Sequence, residues 1–188
     1  MLNIQSKTVS KEEFYALALA PENRDRNFEY IAGEIVEVVS NNESSGATAF
    51  LISYFGHFVA VNKLGWLTSS DGGYVINGED YIPDAAFTSF KRQPVRPPKV
   101  AYNPVAPDLA IEIISPGNTK SEITFKVSNY MIAGTVLWLG DPDKKIIDVH
   151  IPGQAAKRLR IGDILDGGDV LPGFQVALAD IFIENKKG

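Results

Sequence analysis

Two short apolar segments, Tyr81-Ile-Pro-Asp-Ala-Ala-Phe-Thr88 and Pro107-Asp-Leu-Ala-Ile-Glu-Ile-Ile114, precede a helical pattern that ends at Gly134. Both segments are predicted to be strands, and the continuous apolar run of the second predicts a strand that is buried on both faces. Glu112 interrupts that run. Because a buried carboxylate is costly unless a cation or several hydrogen-bond donors compensate it, Glu112 is predicted to have a partner.

A metal ion held between Glu112 and Asp84 is one such partner. Asp84 directly follows Pro83 in the first segment, and the intervening chain is long enough to leave one strand and return beside it. Magnesium and manganese prefer carboxylate oxygens and water as ligands. The two acids therefore predict a site for Mg²⁺ or Mn²⁺.

This pattern resembles the PD-(D/E)XK superfamily, and more closely a bacterial family of restriction-endonuclease-like proteins within it. The resemblance spans most of the chain and is carried, in order, by Phe28-Glu-Tyr-Ile-Ala-Gly-Glu34, Ile82-Pro-Asp-Ala-Ala-Phe87, Pro107-Asp-Leu-Ala-Ile-Glu-Ile-Ile-Ser-Pro116 and Leu137-Trp-Leu-Gly-Asp-Pro142. It implies a metal-dependent endonuclease that hydrolyses phosphodiester bonds in nucleic acid, with DNA as the expected substrate. Asp84 and Glu112 would hold the magnesium or manganese.

The catalytic lysine of the superfamily pattern is displaced in this chain. The pattern places a lysine two residues after the second acid, where Ile114 stands here. The family that the chain resembles takes its lysine from the next helix, which implies a catalytic role for Lys126. The helical spacing puts Lys126 at the border of an apolar face. The alternative is that Lys126 pairs with Glu122 at i,i+4 on the solvent side.

Three further residues are candidates for the same site. Residues 28–39 alternate as a pair of strands with a turn at Gly33. The resemblance implies that Glu29 or Glu34 adds a third carboxylate near the metal, although solvent-facing glutamates are common in such strands and are the favoured interpretation for each residue. Ser115 follows the second apolar segment, so its hydroxyl is expected near the end of that strand.

Composition and length narrow the choice of function. The chain has 188 residues, 45% of them apolar and 22% charged, which predicts one globular domain over residues 1–188. A signal-peptide pattern and a long apolar run are both missing, so a cytoplasmic location without a membrane is expected. There is no cysteine and there are only two histidines, which excludes a cysteine nucleophile, a thiolate zinc site and a three-histidine site. A metal is therefore expected to be bound by oxygen.

The charge and the apolar pattern of the chain indicate which partners it could bind. The net charge of −5 opposes binding to phosphates, but residues 91–107 hold four basic residues and no acid. That segment is either a basic lip for nucleic acid or a proline-rich spacer, and the spacer is favoured.

The segment from Ala47 to Asn62 predicts a helix that is apolar on nearly all sides, either central to the core or shared with a second subunit in a homodimer. His57 is predicted to be packed within it.

Short strands, tight turns and helices together predict an α+β fold with a mixed central sheet flanked by helices. The resemblance makes this fold restriction-endonuclease-like. Two other functions stay open. The first is a degenerate nuclease-fold module that binds nucleic acid or a protein partner without cutting, favoured by the acidic charge and by Ala47 and Thr48 standing where related proteins carry a histidine. The second is a metal-dependent hydrolase of a smaller phosphoester.

Overall fold

A computed structural model describes residues 8–38 and 41–183, so Val39, at the end of the predicted strand pair, lies outside the described residues. A short 3₁₀ turn, Pro21–Asn23, follows the first helix. In chain order the helices and strands are α1 (Lys11–Ala18), β1 (Phe28–Ile31), β2 (Glu34–Glu37), α2 (Asn42–Asn62), β3 (Gly65–Ser69), β4 (Gly73–Ile76), β5 (Glu79–Tyr81), β6 (Ala85–Ser89), β7 (Tyr102–Asn103), β8 (Leu109–Ile113), α3 (Lys120–Ile132), β9 (Val136–Asp141), β10 (Ile146–His150), β11 (Lys157–Arg160), β12 (Ile164–Asp166), β13 (Gln175–Ala177) and α4 (Leu178–Ile181).

The strands divide between two larger sheets and a separate hairpin. The first sheet has the order β2-β1-β5-β4-β7 and the second has the order β11-β10-β9-β8-β6-β3, while β12 pairs with β13. Both larger sheets are mixed, because β4 and β7 run parallel in one and β8 and β9 run parallel in the other. The predicted α+β fold with mixed sheet and flanking helices is confirmed, with its strands distributed over two sheets.

The segment predicted as one strand over residues 81–88 is two strands in different sheets. β5 ends at Tyr81 in the first sheet, and β6 begins at Ala85 in the second. Pro83 lies between them and has no N–H to donate to a strand ladder, so pairing stops there and the chain changes sheets. Asp84 therefore lies at the junction of the two sheets.

Side-chain caps fix where α1 and α3 begin. Ser10 and Glu13 form a capping box at α1, and Thr119 and Glu122 form one at α3, as their sequence spacing predicts. Helix α3 ends before Gly134, whose φ of +73° suits the left-handed conformation of a residue that follows a helix. These signals set the length and position of the helix that carries Lys126.

One face of α2 packs in the core and the other is exposed. Leu51, Phe55 and Val59 are buried against the second sheet, whereas Phe50 and Tyr54 are exposed. Within the described residues, α2 is the one helix long and apolar enough to cross a membrane, a test that core helices of soluble proteins also pass. His57 lies on the exposed side of α2, so its predicted packing is wrong.

Candidate active site

Glu112 lies on the face of the second sheet that α3 covers. Leu109 and Ile111 of β8 pack with α2, whereas Ala110 packs with the residues of α3. Because successive residues of a strand point to opposite faces, Glu112 shares the face of Ala110. The carboxylate of Glu112 in β8 therefore lies at the interface between the second sheet and α3.

Asp84 lies opposite Glu112 on the neighbouring strand. The last paired residues of β6 and β8 are Ala85 and Ile111, and continuing this register by one step places Asp84 across from Glu112. Directly opposite side chains of antiparallel strands have Cβ atoms about 5 Å apart. The backbone N–H of Ile113 donates to Asp84 Oδ2 over 2.6 Å, which fixes the orientation of this carboxylate.

Lys126 is buried against both sheets. Its Nζ lies 2.7 and 2.9 Å from the two carboxylate oxygens of Glu29 and 3.3 and 3.4 Å from those of Glu112. It also lies 5.3 Å from the centre of the Tyr81 ring. Glu122 instead accepts hydrogen bonds from Asn118 and from the backbone of the α3 cap. The alternative pairing of Lys126 with Glu122 at the solvent side is therefore wrong.

Glu29 joins the site from the first sheet. Its side chain is only 3% exposed, and its Oε1 accepts a hydrogen bond from the Ile82 N–H over 2.8 Å. The favoured interpretation of Glu29 as a solvent-facing glutamate is therefore wrong. Its burial follows from the packing of β1 beside β5, at whose end the chain crosses into the second sheet.

Glu34 and Ser115 occupy different places. Glu34 is exposed at the turn end of the β1–β2 hairpin, where it lines another cavity with Thr119 and Phe125, so it does not join the buried acids. Ser115 does line the cleft that contains Asp84 and Glu112. Both its N–H and its hydroxyl donate to Asn118 Oδ1, over 2.9 and 3.2 Å.

Tyr130 is a site residue that sequence reasoning missed. Its hydroxyl donates to Glu112 Oε1 over 2.7 Å, and its side chain is fully buried. The sequence assigns Tyr130 only to the apolar face of α3. The available signal was its position four residues after Lys126, which places the two side chains on the same side of the helix.

The basic segment of residues 91–107 lies at the other end of these strands. It follows the end of β6 at Ser89 and leads to Asp108, just before β8. The Asp108 carboxylate accepts a hydrogen bond from the Ser89 N–H over 2.7 Å. Arg92 forms an ion pair with Asp108 over 2.9 Å and donates to the carbonyl of Pro107. This placement fits the interpretation of the segment as a spacer, not as a lip beside Asp84.

The carboxylates line a cleft of about 230 Å³. Its charged lining residues are Glu29, Glu37, Asp84, Glu112, Glu122 and Lys126. Burial raises the pKa of Asp84 above its ordinary value of 3.8 and that of Glu112 above 4.5, and in each case a neighbouring carboxylate adds to the rise. Burial acts to lower the pKa of Lys126, but Glu112 and Glu29 together raise it above 10.5. At neutral pH one buried cation thus faces several acids.

This donor set fits a divalent ion that prefers oxygen. Within residues 8–38 and 41–183, no three histidine or acidic side chains are arranged as a metal-ligand group. An ion at this place would be held by Asp84 and Glu112 and completed by water, which is the usual manner of magnesium. Hydrogen bonds from the Ile113 N–H and the Tyr130 hydroxyl already orient the two carboxylates.

The fold and the buried acid–lysine cluster define a restriction-endonuclease-like protein. The model of the Uma2 family, described as "Putative restriction endonuclease", matches residues 11–179, and the chain belongs to this family. A crystal structure of "a putative nuclease belonging to DUF820" from Anabaena variabilis is similar, with a TM-score of 0.77 and 20% identity over 91% of this chain and 96% of that chain. At this identity the likeness shows the fold. No curated protein matches the chain.

Proposed function

We propose that this protein is a metal-dependent endonuclease that hydrolyses phosphodiester bonds in DNA, with Mg²⁺ or Mn²⁺ at Asp84 and Glu112. The observation that carries the proposal is the convergence of Asp84, Glu112 and Lys126, which come from a sheet junction, a strand and a helix, on the wall of one cleft. Membership of a family described as restriction endonucleases supports the same reaction. A cytoplasmic location and a homodimer remain predictions.

Each residue would have a separate task. The bound ion would supply a Lewis acid for the scissile phosphate. Asp84 and Glu112 would hold it in the orientation that their hydrogen bonds set. Lys126, kept cationic by Glu29 and Glu112, would stabilise the negative charge that develops in the transition state. Its raised pKa makes Lys126 a poor general base at neutral pH, since a base must first lose its proton.

A second candidate is a module of the same fold that binds a partner without cutting. The observation that favours it is the lining of the cleft, in which the described residues include five acidic side chains and one basic side chain, that of Lys126. Without a metal, such a surface repels a phosphate backbone. The presence or absence of metal binding therefore separates the two candidates.

The test is cleavage of supercoiled plasmid and single-stranded DNA, first with magnesium and then with manganese. Wild type is compared with Asp84→Asn, Glu112→Gln and Lys126→Met, each checked for folding by circular dichroism and a thermal melt. Lys126→Arg, which keeps the positive charge, is added in case Lys126→Met fails to fold. Asp108→Asn is the matched control, since Asp108 is bonded to Ser89 and Arg92 at the far end of the same strands.

Metal-dependent cutting that is lost in Asp84→Asn and Glu112→Gln but kept in Asp108→Asn supports the proposal. Cutting that survives Lys126→Met would remove the proposed role of the lysine and leave that of the acids. Wild type that cuts neither substrate and binds neither metal by calorimetry would overturn the proposal in favour of the non-cutting module.

A further inference from the structure

A second cavity of about 310 Å³ adjoins the cleft. Ile82 lines both spaces. Between them lies an ion pair in which Arg26 belongs to the wall of the second cavity and Glu37 to the wall of the cleft. The Arg26 guanidinium contacts both carboxylate oxygens of Glu37, over 2.6 and 2.8 Å. Phe28 of β1 lines the second cavity and its neighbour Glu29 lines the cleft, so the two spaces lie on opposite faces of β1 and share Ile82.

The second cavity has the opposite charge balance to the cleft. Arg24 and Arg26 line it together with one acid, Asp71, whose Oδ1 accepts a hydrogen bond from Asn27 over 3.1 Å. The Arg24 side chain is 80% exposed and pairs with Asp25 over 3.4 Å, and such an exposed pair is weak enough for Arg24 to turn toward a ligand. The Arg26 guanidinium lies 4.7 Å from the centre of the Phe28 ring, a contact that orients it along the wall.

The cavity also has an apolar surface. Phe28, Ile82 and Tyr102 line it and are nearly fully buried, so they form a fixed floor. Leu19 lines the same cavity and is 60% exposed. A ligand that suits this site has an anionic part for the arginines and a flat or apolar part for the floor. A volume near 300 Å³ lies within the range of small-molecule sites.

We propose that the second cavity binds the nucleotide adjacent to the scissile phosphodiester, with Arg26 and Arg24 on the phosphates of the strand. The inference rests on the proposed function, because it requires a nucleic-acid strand that crosses the cleft. Among the described residues that line the acidic cleft, Lys126 is the one cation for a phosphate backbone, so further cations must come from a neighbouring surface. The second cavity supplies them on the other side of Ile82, the residue that it shares with the cleft.

The Arg26–Glu37 pair allows such an exchange of partners. Its side chains are 48% and 42% exposed, so solvent screens the pair and can reach both of its members. A phosphate presents the same forked acceptor as a carboxylate and can replace Glu37 as the partner of Arg26. Binding at this place selects a polymer over a small phosphoester, because a small phosphoester has no flanking nucleotide to fill the cavity.

The test measures binding apart from cutting. The full chain with Asp84→Asn, which is expected not to cut, is titrated into a fluorescein-labelled single-stranded DNA oligonucleotide in the presence of magnesium, and fluorescence anisotropy is recorded at several salt concentrations. Adding Arg26→Ala is expected to weaken binding about three- to tenfold and to lower the slope of log K against log salt by about 0.7. Arg24→Ala is expected to act in the same direction.

Two controls isolate the effect of Arg26. Arg158→Ala removes an arginine of the same type, forked onto Asp148 over 2.7 Å at a distant strand, and is expected to leave binding unchanged. Glu37→Gln frees Arg26 and should strengthen binding. Adding Arg26→Ala to Glu37→Gln shows whether Arg26 acts on DNA directly, because no unpaired Glu37 carboxylate is left in that background.

Weaker binding and a smaller salt slope for Arg26→Ala in both backgrounds support the proposal. Equal affinities for Arg26→Ala, Arg158→Ala and the parent protein overturn it, as does an effect that disappears in the Glu37→Gln background. A parent protein that binds no oligonucleotide also overturns it. The plasmid assay with metal still decides the proposed function separately.

Discussion

The ammonium nitrogen of Lys126 lies 2.7 Å from Glu29 of the first sheet and 3.3 Å from Glu112 of the second, so its shorter ion pair is with Glu29. The three side chains are only 11%, 3% and 14% exposed. A single buried cation therefore joins the first sheet, the second sheet and α3. Removing it leaves two acids together in a poorly solvated place.

Lys126→Met is expected to lower the free energy of unfolding by about 3–5 kcal/mol, because it breaks a buried ion pair from one side. Urea unfolding at neutral pH measures the change. Lys144→Met is the control, since Lys144 pairs with Asp141 but is itself 71% exposed, and it should cost less than about 1 kcal/mol. Similar losses for the two variants would contradict the burial argument.

The contribution of Asp84 to the stability of the metal-free protein should fall as pH rises through the pKa of Asp84. Burial raises the pKa of Asp84 in the folded state above its ordinary value of 3.8, so the folded protein binds more protons than the unfolded chain between the two values. The contribution of Asp84 to stability is thus greatest at low pH and is lost as Asp84 ionises. Urea unfolding from about pH 4 to pH 8 should show wild type losing stability relative to Asp84→Asn. A difference that does not change with pH would refute this linkage.

Tyr130→Phe is expected to weaken manganese binding by about tenfold or more, because the hydrogen bond that orients Glu112 is lost. Isothermal titration calorimetry measures the affinity. Tyr30→Phe is the control, since it also deletes a hydroxyl, but one that donates to the Val9 carbonyl over 2.8 Å, outside the site. Equal affinities for wild type and Tyr130→Phe would show that Glu112 needs no such support.

Thr119→Ala should lower the free energy of unfolding by about 1 kcal/mol through loss of the α3 cap. Because α3 carries Lys126 and Tyr130, metal affinity should fall as well. Ser10→Ala removes the equivalent cap of α1 and should cost a similar amount without changing metal affinity. A thermal melt and calorimetry on both variants separate the two effects, and unchanged metal affinity in Thr119→Ala would refute the link to α3.

Local signals in the sequence predicted much of the site. Glu112 was conspicuous as the acid within an apolar strand, and Pro83-Asp84 pointed to its neighbour. The caps at Ser10 and Thr119 and the glycine at 134 fixed helix ends, because capping depends on residues only a few positions apart. The order and character of most strands followed in the same way from turn residues and apolar patterning.

What could not be predicted depended on contacts between distant segments. Alternation along β1 cannot say whether Glu29 faces solvent or a second sheet, because both give the same pattern. The residues on both sides of Pro83 all suit a strand, so the sequence predicts one strand there, and only the change of sheet divides it into β5 and β6. The Arg26–Glu37 pair likewise depends on how the start of β1 meets the end of β2.

The ion pair between Glu29 and Lys126 joins residues 97 positions apart. During synthesis Glu29 and Asp84 therefore leave the ribosome long before their cation, and the acids must stay hydrated until α3 arrives. A chain cut short before α3 carries Glu29, Asp84 and Glu112 without Lys126 to pair with them. A nascent or truncated chain therefore cannot form this ion pair until α3 has been synthesised.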